Sequence, residues 1–325
     1  MGSEIVLLIV ALGLLFDYTN GFHDAANVVA TPIATKIVTP LVAIISATIF
    51  NFIGATQVSG VAQTITTGLV EVADASQAMV LAAVVGAISW NFITWYFGIP
   101  SSSSYALVGG LIGGAFVHGG AEIVIWRNVI FKVVIPMVLS PLIGFFVAFM
   151  LMRLLLRFKV GEKKIFNHLQ LMTSSCLALT HGLNDAQKSM GIITLGLLAA
   201  GAITTSHIPL WVIASCAVMM ALGTATGGWR IIRTMGYEIT HLKPIQGFAA
   251  EGSASLVILI ASLLGMPISS THMIAGSITG VGSAHGTRAV KWQTAKKLVI
   301  AWILTLPGAA VIAGAIFHFL LKVFS

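Results

Sequence analysis

Long apolar runs, broken only by isolated polar residues, set the organisation of the chain. A helix needs about 20 apolar residues to cross a bilayer. By that measure six spanning regions stand out, at roughly 5–34, 39–69, 127–152, 165–200, 207–229 and 298–321. Two further apolar blocks, about 77–118 and 246–285, are each interrupted by Gly-x-Pro and then hydroxyl residues: Gly98-Ile99-Pro100-Ser101-Ser102-Ser103-Ser104 and Gly265-Met266-Pro267-Ile268-Ser269-Ser270-Thr271. Proline ends one helical arm and starts another, so both blocks read as helical hairpins. Regions 5–34 and 165–200 are longer than one span and carry glycine and polar residues near their middles, which predicts kinked or broken helices there. The expected fold is an all-α polytopic membrane protein.

A short motif occurs twice inside these runs, as Gly21-Phe22-His23-Asp24-Ala25-Ala26-Asn27 and as Gly182-Leu183-Asn184-Asp185-Ala186-Gln187-Lys188. The hairpin blocks repeat as well: Gly98, Pro100, Ser102, Ser103, Gly109, Gly113 and His118 match Gly265, Pro267, Ser269, Ser270, Gly276, Gly280 and His285 at one constant offset. The chain therefore divides into a first repeat, 1–152, a basic linker, 153–164, and a second repeat, 165–325.

Composition narrows the class. With 57% hydrophobic and 8% charged residues, the chain lies far from a soluble domain, where about a quarter of residues are charged. The net charge of +7 sits in short loops, which points to membrane orientation and not to nucleic acid. If each hairpin enters and leaves by one side, that side holds Lys36, the run from Arg153 to Lys164, Arg230, Arg233, Lys243 and the stretch from Arg288 to Lys297. The other side keeps Arg127, Lys132 and Lys322 with Glu71, Asp74 and Glu122. The positive-inside rule then places the linker in the cytoplasm and both termini outside, and the two halves become inverted repeats. The first apolar run, Ile5–Phe16, lacks a preceding basic residue and a small-residue cleavage site, so it reads as a retained segment beginning at Met1. Cys176 and Cys216 stand in separate apolar stretches with no metal-ligand spacing.

The repeated motifs carry the chemistry. An ionised carboxylate within a bilayer costs at least a few kcal/mol, so Asp24 and Asp185 are candidate functional groups. With Asn27, Asn184 and carbonyls freed by helix breaks they form an all-oxygen set that fits a hard cation such as sodium; interhelical hydrogen bonding is the simpler alternative. Ser102, Ser103, Ser104, Ser269, Ser270 and Thr271 fall at helix N-termini, where free N–H groups and the dipole favour an anion such as phosphate or sulfate. Ordinary N-capping would use one serine per hairpin. The second-arm glycines Gly109, Gly110, Gly113, Gly114, Gly276 and Gly280 read as close-packing positions. Glu251 reads either as a cation ligand or gate, or as the partner of a nearby Arg or Lys. Lys188 stands where the first motif has Asn27, so the two ion sites should differ. His23, His181 and His272 read as polar contacts. A hydrolase built on Ser270, His272 and Asp185 is disfavoured because Tyr105 replaces His272 in the other repeat, and a channel is disfavoured by the lack of a continuous polar pore.

The stretches GFHDAANVVATPIATKIV, HGLNDAQKS, GIPSSSS and GMPISSTH resemble the signatures of the inorganic phosphate transporter (PiT) family, over nearly the whole chain. The resemblance implies a non-enzymatic symporter in the cell membrane that imports phosphate by alternating access. Its driving cation would be sodium, or protons in many bacteria. It implies no cofactor, with sodium as co-substrate at Asp24 and Asp185. It also implies that these two acids are essential for transport and that Glu251, in Gly247-Phe248-Ala249-Ala250-Glu251, matches a family glutamate tied to phosphate. Phosphate, sodium and the lipid bilayer are the implied partners, and a homodimer is compatible with it. Metal-phosphate and sulfate carriers in the same family keep the transported ion open.

Overall fold

The computed structural model describes residues 2–57, 60–158 and 164–324, so part of the linker, 159–163, lies outside the described residues. The first half contains α1 (Gly2–Ala34), α2 (Pro40–Ala55), α3 (Gly60–Thr67), α4 (Gln77–Tyr96) and α5 (Ser103–Gly119). It closes with a continuous run, Trp126–Arg157, made of α6 (Trp126–Asn128), a π-helical stretch (Val129–Val134) and α7 (Ile135–Arg157). The second half contains α8 (Ile165–Ala199), α9 (Leu210–Thr226), α10 (Trp229–Tyr237), α11 (Pro244–Leu263), α12 (Ser270–Ala284) and α13 (Trp292–Phe324). Among the described residues the only β pairing is two isolated bridges, Val70 with Val124 and Thr240 with Val290. Among the described residues five helical stretches are long and apolar enough to cross a membrane, and seven if each bent pair of helices is one span. Apolar side chains such as Phe146, Met150, Ile303 and Val311 are exposed on α7 and α13, as a lipid-facing surface requires.

Both hairpins form where the sequence places them. Gly98 and Gly265 turn the chain at φ +65° and +68°, a conformation glycine adopts without strain. Ile99 N–H then donates to the Thr94 carbonyl at 2.9 Å, and Met266 N–H to the Ala261 carbonyl at 2.9 Å. The bridge between Val70 and Val124 joins the residues flanking α4 and α5, and that between Thr240 and Val290 joins those flanking α11 and α12. Each hairpin thus opens on one side only.

The second arms pack through their glycines. A Cβ at Gly109 or Gly113 would lie 2.3 or 2.1 Å from a carbonyl oxygen of α13, and one at Gly276 or Gly280 would lie 2.3 Å from a carbonyl oxygen of α7. The pairing of α5 with α13 therefore repeats in α12 with α7. Equivalent boundaries recur too: α4 and α11 are both 20 residues long and both end six residues before a serine N-cap, Ser102 or Ser269.

Two expectations change. The region 39–69 is a bent pair of helices, α2 with α3 at 67°, and the region 207–229 holds α9, which meets α10 at 70° where that region ends. By contrast α1 and α8 run unbroken for 33 and 35 residues through both Asp motifs, where breaks are expected from the sequence. The reason lies in what the motif glycines touch. A Cβ at Gly21 would sit 2.5 Å from the Met220 carbonyl oxygen on α9, and one at Gly182 would sit 2.2 Å from the Asn51 carbonyl oxygen on α2. These glycines let helices cross closely, and interior glycine costs a helix only about 1 kcal/mol. The freed backbone carbonyls expected for a cation are consequently not supplied by α1 or α8.

These two long helices lie side by side and antiparallel. Gly196 faces Ile9, Gly13 faces Ile193, and the Ser189 hydroxyl donates to Asp17 at 2.7 Å. Continued along the pair, the same register brings the two Asp motifs together.

Candidate functional site

Asp24 and Asp185 each offer an oxygen within 4.8 Å of the other and of a His181 nitrogen, and all three residues are buried. The hairpin tips close over them. Ser270 at the start of α12 donates its hydroxyl to Asp185 Oδ2 at 2.7 Å, and Thr271 donates to Asp24 Oδ1 at 3.1 Å. Asn27 Nδ2 donates to the Thr271 and Ser270 hydroxyls at 2.9 and 3.2 Å. From the other tip, Ser104 accepts a hydrogen bond from Lys188 Nζ at 2.5 Å and lies 3.5 Å from the Ile268 carbonyl. Lys188 Nζ also donates to that carbonyl at 2.8 Å and pairs with Asp185 Oδ1. Residues from α1, α5, α8 and α12 are thus joined by direct contacts.

The six tip hydroxyls divide by role. Ser102 and Ser269 are the N-caps, accepting from Tyr105 N–H and His272 N–H at 3.2 Å each. Ser103, wholly buried in the first turn of α5, has no hydrogen-bond partner for its hydroxyl among the described residues. A buried donor left unpaired costs about 1–3 kcal/mol, so this hydroxyl at a helix N-terminus has a reason to meet a ligand. The side-chain oxygens of Asn20, Asn27 and Asn184 are also buried without partners among the described residues. Asn184 otherwise donates to the Ser262 hydroxyl at 2.8 Å.

Outside this cluster the sequence reading fares unevenly. Glu251 is wholly buried on α11, but its hydrogen bonds come from Thr31, from Gln170 at 3.2 Å and from Thr173 at 2.9 Å. Of its two readings, the pairing with an Arg or Lys is not formed, these three neutral donors taking that place. Thr31 lies seven residues along α1 from Asp24, about 10 Å by helical rise, so Glu251 forms a separate polar cluster. His272 stacks on Trp302 at 4.1 Å and meets Tyr105 at 5.1 Å, while Ser270 already donates to Asp185; no Ser-His-Asp relay forms. His23, read from the sequence as a polar contact, makes one at each ring nitrogen, Nδ1 to Asp24 at 2.9 Å and Nε2 to Thr94 at 3.1 Å; sequence reasoning missed the extension of this chain to Ser101, whose hydroxyl donates to Thr94 at 2.9 Å. It also missed the pairing of Lys188 with Asp185, although their i, i+3 spacing on one helix face was there to read.

A bundle of spanning helices enclosing a buried, charged site between two convergent hairpin tips is the architecture of a membrane transporter for a small polar solute. A model of the phosphate transporter family matches residues 20–313. The chain belongs to that family and is a phosphate transporter. It is 42% identical over 326 residues to a "probable low-affinity inorganic phosphate transporter" of Bacillus subtilis (strain 168), covering 98% of this chain and 97% of that one. A protein of the same description from Rhizobium meliloti (strain 1021) is 41% identical over 313 residues, covering 94% and 93%. Among solved structures, one titled "The sodium-dependent phosphate transporter" superimposes with a TM-score of 0.89 at 26% identity, covering 99% of this chain and 100% of that one.

Proposed function

We propose that the protein imports inorganic phosphate with sodium by alternating access, with phosphate held between the two hairpin tips. The supporting observation is the convergence of the N-termini of α5 and α12 on Asp24, Asp185 and Lys188. Phosphate would accept from Ser103, Ser104, Ser270 and Thr271, from first-turn amides and from Lys188, while its own proton would donate to a carboxylate. Ser102 and Ser269 keep their capping bonds and frame the site. Sodium is held at Asp24 with the oxygens of Asn27 and Asn20.

Charge explains why transport would be coupled. Two carboxylates and one ammonium leave the site one negative charge in excess before an anion arrives. At about 5 Å and an effective dielectric near 20, each added like-charge pair costs about 3 kcal/mol, which a bound cation removes. The 1–152 and 165–325 halves act as inverted repeats rocking about this point, with the 153–164 linker in the cytoplasm and both termini outside. The likeness to a structure titled as sodium-dependent supports sodium over protons. The contact of His23 with Asp24 gives a proton-coupled reading its own footing, since an imidazole can hand a proton to that carboxylate.

The test is counterflow of radiolabelled phosphate in proteoliposomes, with sodium and pH varied separately. Uptake rising with sodium at fixed pH is expected. Uptake governed by pH and indifferent to sodium replaces sodium with protons, and uptake no faster than in protein-free vesicles rejects the proposal.

A further inference from the structure

Lys188 breaks the correspondence between the two Asp motifs, standing where the first has the neutral Asn27. Asn27 and Lys188 each stand three residues after their motif aspartate, on the same helix face as that carboxylate. Their contacts remain equivalent: Asn27 donates to the Thr271 hydroxyl at 2.9 Å, and Lys188 donates to the Ser104 hydroxyl at 2.5 Å, Thr271 and Ser104 being matched residues of the two tips. Lys188 is 1% exposed. An ammonium has three hydrogens to donate and accepts none. Three oxygens take them here, from the Asp185 carboxylate, the Ser104 hydroxyl and the Ile268 backbone carbonyl.

A carboxylate, a hydroxyl and a main-chain carbonyl are also the donors a hard cation collects in a broken-span transporter. In the other half Asp24 gives a carboxylate and Thr271 a hydroxyl, and side-chain amide oxygens stand where the second half has the main-chain carbonyl, without the ammonium. There Asn27 is neutral, and the Asn27 and Asn20 side-chain oxygens, three residues after and four before Asp24, are buried without hydrogen-bond partners among the described residues.

Building on the cation-coupled reading above, we infer that Lys188 is a tethered cation. Its ammonium permanently fills, beside Asp185, the position whose equivalent beside Asp24 takes a mobile coupling ion. Being covalently fixed, it neutralises Asp185 and faces the anion in every turn of the cycle but carries no gradient energy. Each phosphate therefore crosses with one cation fewer than two matched half-sites would bring.

The experiment is the phosphate gradient that the full-length protein builds in proteoliposomes at zero membrane potential, under an imposed sodium gradient and, separately, a proton gradient. It compares wild type with Lys188→Asn, which restores the residue of the first motif. A tenfold cation gradient is expected to support about tenfold phosphate accumulation in the wild type and about hundredfold in Lys188→Asn, because each coupled ion multiplies the attainable ratio by its own. Equal accumulation in the two proteins overturns the inference. A wild type that already reaches the squared ratio does so too, and that result is readable even where the variant does not fold. A Lys188→Asn protein that loses phosphate affinity without gaining cation dependence makes Lys188 an anion ligand and nothing more, which also overturns it. A wild type that accumulates no phosphate under either gradient defeats the coupled reading itself, and the inference with it.

Discussion

Gly182→Ala tests whether the motif glycines serve close packing or a hinge. The alanine Cβ would start 2.2 Å from the Asn51 carbonyl oxygen, against the 3.4 Å of an ordinary contact, so α8 and α2 must separate by about 1 Å. Both groups in conflict are fixed to helices, and neither can rotate away. The same crossing contains Gly54, whose own Cβ position lies 2.0 Å from the Leu179 carbonyl oxygen, so the separation opens the interface along its length. It also stretches the 3.0 Å contact between His181 Nδ1 and Asn51 Oδ1 beyond bonding distance. Overpacking of this kind costs about 1–3 kcal/mol and the hydrogen bond about 1 kcal/mol more, while alanine returns about 1 kcal/mol of helix propensity. The net expectation is a loss of about 1–3 kcal/mol, read as a lower midpoint of thermal unfolding in detergent, together with reduced phosphate uptake because His181 stands 3.0 Å from Asp185. Gly314→Ala is the control, since its nearest neighbour is a Val117 side-chain methyl at 3.2 Å that can yield. A Gly182→Ala protein at least as stable as wild type, with full transport, would refute the packing role and favour the hinge.

Asp24→Asn should leave the protein folded but remove cation dependence from phosphate uptake, whereas Asp185→Asn should lower the unfolding midpoint, because it leaves the Lys188 ammonium buried without its counter-charge, at about 3–5 kcal/mol. Identical stability of the two variants, measured side by side in detergent, would contradict that asymmetry. Arsenate should compete with phosphate for uptake and sulfate should compete poorly, since sulfate has no proton to donate to Asp24 or Asp185; a lost matched hydrogen bond costs about 1–3 kcal/mol, roughly tenfold or more in affinity. Sulfate competing at concentrations similar to phosphate would count against this placement of the anion.

How much could be read from the chain depended on how local each signal was. The hairpins were legible because Gly98-Ile99-Pro100 and Gly265-Met266-Pro267 dictate a turn by backbone restriction alone, and the hydroxyls after them must then start a helix. The motif glycines were ambiguous, since Gly21 and Gly182 look the same from the sequence whether they break a helix or admit a neighbour; only α9 and α2, distant in sequence, decide. The bend between α9 and α10 had a signal in Gly227-Gly228, with Gly227 at φ +67°, where the apolar run ends before Arg230 and Arg233. Gathering Asp24, Asp185, Ser270 and Thr271 followed from repetition, as matched motifs in an antiparallel pair of helices meet. The surroundings of Glu251 did not, because Thr31, Gln170 and Thr173 come from two other helices and share no pattern with it.

The central claim is that phosphate sits between the hairpin tips with sodium at Asp24, and the most direct measurement is an experimental structure of the full-length protein with saturating phosphate and sodium. The account predicts a tetrahedral anion within hydrogen-bonding distance of Ser103 and Ser270, touching the N-termini of both α5 and α12, with a cation on Asp24. Phosphate bound away from both tips would contradict it.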